Sequence, residues 1–128
     1  MAMSYATTLR ASRMQAVVDA IDGGVSAGYI EIGTTGMGTV LATIPLADPC
    51  GTVTGGVLTF DTSPAIEDTS ADATGTAAEA VIKDSSGATK VSGLTVGTSG
   101  THIVLTSVSI VATEPVSITS ATITEGNP

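Results

Sequence analysis

From Gly28 to the C-terminus the chain is a succession of short Val-, Ile-, Thr- and Leu-rich runs, cut by Gly, Ser, Asp and Pro. A period of two sends successive side chains to opposite faces of a strand, and runs this short are too brief to build a helix face. The spacing predicts strands over residues 29–34, 39–46, 57–61, 74–83, 88–96, 102–112 and 115–124. The run 39–46 is the most regular, with Val40, Ala42, Ile44 and Leu46 alternating strictly. Pro45, on the opposite face, marks an edge or a strand end because it has no N–H to give to a neighbour. Residues 48–56 and the polar stretch 62–73 read as loops. Asp84-Ser-Ser-Gly87 reads as a turn, since Asp and Ser bond locally and Gly supplies positive φ; residues 97–100 read as another.

Two runs change phase. Ile103 and Leu105 share one face while Val108 and Ile110 share the other, and Val116 and Ile118 oppose Ala121 and Ile123. A phase change implies a bulge, or a strand that crosses from one sheet to another. With about seven strands at roughly 8–12-residue spacing, the expected fold is mainly β, a β-sandwich or jelly roll.

One helix precedes it. Met14, Val17, Val18 and Ile21 form an apolar stripe over Thr7–Asp22. Thr7 or Thr8 is the expected N-terminal cap, and Gly23–Gly24 the stop, in left-handed conformation. The expected organisation is an arm and helix over residues 1–24 and a sandwich over 25–128, a single domain overall.

Composition narrows the function. Thr occurs 22 times and Ser 13 times, against three aromatic rings, Tyr5, Tyr29 and Phe60. Four basic residues face twelve acidic ones, a net charge of −8. Nucleic-acid binders neutralise phosphates with Lys and Arg and stack bases on rings, so no nucleic-acid partner is expected. Residues 91–113 carry no Asp, Glu, Lys or Arg, but Gly93, Gly97, Gly100 and many hydroxyls make a membrane span unlike them, and no membrane partner is expected. Residues 6–20 hold Arg10, Arg13 and Asp19, so no signal-peptide apolar centre is present there.

Chemistry-bearing residues are few. Cys50 is the single cysteine and lies in a turn context between Pro49 and Gly51, read as a partly buried thiol. His102 is the single histidine; a catalytic role needs a nucleophile and an orienting acid beside it. No phosphate-loop motif occurs, and the chain reads as a non-enzyme with no cofactor. Glu67, Asp68 and Asp72, with Asp61 before them, form the best cation candidate, although the calcium-loop spacing is absent. A Lys–Asn crosslink has only Asn127 to use, while a Lys–Asp version through Lys83 or Lys90 stays open. Those two lysines are also the available edge guards of the strands, so the edges are expected to be covered by another copy or another protein.

The opening Ser4-Tyr-Ala-Thr-Thr-Leu-Arg-Ala-Ser-Arg-Met-Gln-Ala-Val-Val-Asp-Ala-Ile-Asp-Gly-Gly24 resembles the N-terminus of small structural proteins of tailed phages. Asp68-Thr-Ser-Ala-Asp-Ala-Thr-Gly-Thr-Ala77 and the ending from Val108 to Asn127 resemble the same family. The resemblance implies a virion component: a jelly-roll capsid decoration, or cement, protein that binds the major capsid protein and assembles as a homo-oligomer, dimer or trimer. It also implies synthesis in the host cytoplasm and a place on the outer capsid surface. A head- or neck-associated fibre component, or a host-binding sandwich module, is the alternative. The resemblance carries no catalytic residue. The candidate interface is the helix, with Arg10 and Arg13 pairing carboxylates across a contact and Met14, Val17, Val18 and Ile21 packing on either the chain's own sheet or a neighbour.

Overall fold

The computed structural model describes residues 6–23, 27–47, 50–62 and 66–124. Tyr5 and the rest of the expected arm before Ala6, together with Gly24, Pro49 and Asn127, lie outside the described residues.

Helix α1 spans Thr7–Asp22, the range that the apolar stripe predicts. Its start differs from expectation. Ala6 holds the N-cap position and no side chain caps it. A capping hydroxyl must precede the first helical residue, and both threonines already lie inside the helix. Gly23 ends α1 at φ −75°, in right-handed rather than left-handed conformation.

Eleven strands follow among the described residues: β1 (Tyr29–Gly33), β2 (Val40–Pro45), β3 (Gly51–Thr54), β4 (Val57–Phe60), β5 (Ile66–Asp68), β6 (Gly75–Thr76), β7 (Glu79–Lys83), β8 (Thr89–Gly97), β9 (Ile103–Leu105), β10 (Ser109–Ile110) and β11 (Val116–Thr124). The protein is mainly β with one N-terminal helix and a curled sheet. The sheet runs β2-β1-β7-β8-β9-β11-β4-β3, with β5 also on β11 and a separate β10–β6 pair. Every pairing is antiparallel except β8–β9.

Both phase changes have structural causes. The register of β11 on β9 shifts between Ile118 and Ser120. Before the shift β11 pairs β5, and after it β4. The run 102–112 breaks in two: β9 stays in the large sheet while β10 leaves it to pair β6.

The 48–56 loop is corrected to a loop that leads into β3. Thr54 pairs Val57 across a two-residue turn, with Gly55 at φ +59° and Gly56 at φ +88°. Such mirror-image turns match the twist of a hairpin and require two residues at positive φ, which glycine adopts without strain. The 62–73 stretch likewise contains a short strand, β5.

Ile30, Ile32, Ile44, Leu58, Ile82 and Ile103 fill the interior and are fully buried. Met14, Val18 and Ile21 join the same core from α1, at 1%, 3% and 0% exposure. The helix packs on β3, β4 and β8. It runs the length of the β3–β4 hairpin: Arg10 lies against Gly56 at the turn, and the Asp22 carboxylate accepts the Cys50 N–H at 3.2 Å at the other end. Helix and strands therefore share one core.

Candidate functional site

The three acidic residues of the cation candidate each hold a hydrogen bond within the fold, Glu67 and Asp72 while exposed and Asp68 half-buried. Asp68 Oδ2 accepts the Thr43 N–H at 2.9 Å, and its Oδ1 accepts the Ser70 N–H at 3.0 Å. Asp72 Oδ2 accepts the Thr43 hydroxyl at 3.1 Å, and Glu67 accepts the Ser117 hydroxyl at 2.9 Å. Asp68 and Asp72 meet at Thr43, while Glu67 turns to Ser117 on another strand. Among the described residues no group of three or more His, Cys, Asp or Glu is placed to hold a metal ion.

The loop between β8 and β9 turns back on itself so that the two strands run parallel, with Val96 beside Ile103. His102 pins that loop. Its Nδ1 accepts the Thr95 N–H at 3.1 Å, and its own N–H donates to Thr95 Oγ1 at 3.2 Å. An acceptor Nδ1 puts the ring proton on Nε2. Around it is an open hollow of about 390 Å³ lined by Thr95, Gly100, Thr101, Thr122 and Thr124. Among the described residues its lining is four threonines, Gly100 and His102. A second cleft, about 290 Å³, lies between Leu105 and Ser117 and is bordered by Val111, Glu114 and Pro115.

Cys50 is fully buried, its backbone N–H held by Asp22. Of the rings, Phe60 is in the core at 2% exposure and Tyr29 is half-buried in β1. The lysines differ from their expected places as edge guards. Lys83 sits on β7, between β1 and β8, and bonds Glu31 at 2.8 Å. That hydrogen bond raises its pKa above 10.5, so the stabilisation it brings holds below that value and fades as pH rises through the higher one. Lys90 lies 3.6 Å from Asp84. Condensation of that pair to an amide needs an uncharged acid, and Asp84 is held in the opposite state.

Asp84 organises the β7–β8 turn. Its Oδ1 accepts the Ser86 hydroxyl at 2.7 Å and the Ser86 and Ala88 N–H groups at 3.0 Å each. The Ser86 hydroxyl bond, then the Ala88 N–H, pull its pKa below 3.8. A depressed folded value adds stability that is complete above 3.8 and is lost as pH falls through the lower value. Urea unfolding followed between about pH 2 and pH 6 checks this. Asp84→Asn is expected to flatten the acid limb, and an unchanged limb contradicts the assignment.

The six helix residues divide cleanly. Met14, Val18 and Ile21 are consumed by the chain's own core and Val17 packs at its border, which answers where the stripe is buried. Arg13 is exposed and Arg10 half-buried. Only these two charges remain as outward features of α1 among the six.

Register reveals a feature that sequence reasoning missed. Thr52 stands opposite Thr59, and Thr59 opposite Thr122. The Thr122 N–H donates to the His102 carbonyl, and His102 is bonded to Thr95. Thr52, Thr59, His102 and Thr95 are exposed and Thr122 is half-buried. This row runs from β3 through β4 and β11 to His102 in the loop before β9 and to Thr95 on β8, and it holds no Asp, Glu, Lys or Arg. Only the pairing of strands distant in sequence brings it together, so no local signal announces it.

No family model matches the chain, and neither the search of curated proteins nor that of solved structures finds a match.

Proposed function

We propose that this chain is a structural component of a tailed-phage virion, a capsid decoration protein that binds major capsid subunits on the outer shell and self-associates. The curled sheet is read as a jelly-roll-type sandwich serving that role. The observation that carries the reading is the row Thr52–Thr59–Thr122–His102–Thr95, a polar face without Asp, Glu, Lys or Arg that is suited to contact with another protein. The resemblance of the opening, central and closing segments to phage structural proteins gives it direction. So does the charge of −8, which disfavours the DNA-filled interior of a head. Only Leu9 and Val111 are large exposed hydrophobics among the described residues, so the contact is a polar one.

Cosedimentation with decoration-free heads tests it. The wild-type protein is expected to pellet with the heads, and light scattering to show an oligomer. Thr59→Lys, an exposed change, is expected to weaken head binding about tenfold by burying an unpaired charge. A stable monomer that fails to bind heads overturns the proposal. Glycan-array hits lost in Tyr29→Ala would favour a host-binding module instead.

A further inference from the structure

The curl of the sheet brings β2, at one end, beside the segment that follows β5. On β2, residues 42, 44 and 46 face β1: Ile44 pairs Ile30, and the Leu46 N–H donates to the Gly28 carbonyl. Leu41, Thr43 and Pro45 therefore turn their backbone groups outward. Pro45 has no N–H to leave open there, so its place at this edge costs no ladder bond.

What covers Leu41 and Thr43 is not a strand ladder. The Thr43 N–H goes to the Asp68 side chain, and the Thr43 hydroxyl goes to the Asp72 side chain. The Leu41 carbonyl receives both the Asp72 N–H at 2.7 Å and the Ala73 N–H at 3.3 Å. Carboxylates here stand in for part of a missing strand.

The same segment is held differently on its other side. Ile66, Glu67 and Asp68 pair with Ile118, Ser117 and Val116 in regular antiparallel register. The Ala71 N–H then donates to the Glu114 carbonyl, and the Thr113 N–H to the Ala71 carbonyl, each at 2.9 Å. Backbone ladder lies on the β11 side, and side-chain clasps lie on the β2 side.

We infer that residues 66–73 form a strap that stays with β11 and can release the outer edge of β2, so that the curled sheet opens at this joint before it opens at β1–β2 or β1–β7. Two carboxylate bonds and one shared carbonyl hold the joint, whereas the β1–β2 and β1–β7 joints are backbone ladders of five residue pairs each. Local openings are drawn from the least cross-linked parts of a fold. Release exposes the Thr43 N–H and the Leu41 carbonyl to solvent.

Amide-resolved hydrogen exchange on the full chain tests the inference. The Thr43 amide is expected to exchange at least about tenfold faster than those of Ile30 and Ile44, one charge-assisted bond being worth about that factor. Asp68→Ala is expected to speed Thr43 about tenfold more while leaving the β1–β7 amides unchanged. Thr43→Val, which removes only the Asp72 bond, is the milder companion, and should speed the Thr43 amide alone by a smaller factor. Two results overturn the inference. One is Thr43 exchange as slow as that of Ile44 in the wild type. The other is a uniform acceleration of all strands in both variants, which would make the joint part of a single cooperative unit.

Discussion

Deleting residues 1–23 is expected to abolish folding rather than to release an intact β domain. The sequence left open whether the stripe of the helix packs on the chain's own sheet or on a neighbour. In the structure Met14, Val18 and Ile21 are almost wholly buried among the strands. Truncating one large core side chain costs about 2–5 kcal/mol. Three such losses reach the entire stability of a typical domain, about 5–15 kcal/mol. The deletion also removes the Asp22 carboxylate from the Cys50 N–H and the Arg10 stem from Gly56. Far-UV circular dichroism and a thermal melt check this. The double variant Met14→Ala with Ile21→Ala keeps the full chain and is expected to lower stability by about 4–10 kcal/mol, scaled from single truncations. A truncated chain with a native β spectrum and a cooperative melt would return the helix to the role of an appendage.

The second large effect is expected at Gly51, the first residue of β3. A Cβ there would overlap the Thr59 carbonyl oxygen and lie 2.8 Å from Phe60 Cα. Both belong to the backbone of β4, which cannot turn aside as a side chain would. Gly51→Ala must therefore push the hairpin apart just where Cys50 is tied to Asp22. Overpacking of this kind costs about 1–3 kcal/mol or more, and Gly51→Val should cost more still. Gly55→Ala, strained by its φ of +59° but with only a distant neighbour at 3.7 Å, is the control for a conformational cost alone. Urea midpoints for the three variants are expected in the order Gly55→Ala, Gly51→Ala, Gly51→Val, from most to least stable. Equal midpoints for both Gly51 variants and wild type would mean that the β3–β4 contact is not as close as described.

Much of the fold is legible because its signals are local. The stripe Met14–Val17–Val18–Ile21 and the glycine after Asp22 mark α1 to the residue. Strict alternation marks β2, and the phase change in 115–124 marks the bulge near Ser120. The β3–β4 hairpin was also written locally, as Gly55–Gly56 between Thr-rich runs, but loop-like composition before it concealed the signal. Strands β5, β6 and β10 hold two or three residues each, too few to show a period. The candidate site is less legible for a different reason. Glu67, Asp68 and Asp72 are close in sequence, which made them the best cation candidate although the calcium-loop spacing is absent. Their hydrogen-bond partners include Thr43 and Ser117, which come from distant strands and are placed by the curl of the sheet. Lys83 read as an edge guard because nothing local distinguishes a central strand from an outer one.

The hydroxyl row and the strap lead to different expectations for a partner. The row offers a fixed polar surface, whereas the edge of β2 becomes available only when its clasps release. Decoration of a capsid through the row needs no opening of the sheet. Asp68→Ala should therefore leave head binding intact, while Thr59→Lys weakens it.

The most direct measurement is a cryo-electron microscopy reconstruction of decoration-free heads incubated with the protein. The account predicts added density of the size of this 12.5 kDa chain on the outer surface of the shell, over contacts between capsid subunits, with the β3–β4–β11 face turned toward the capsid. Bare shells, or density confined to the neck or tail, would contradict it.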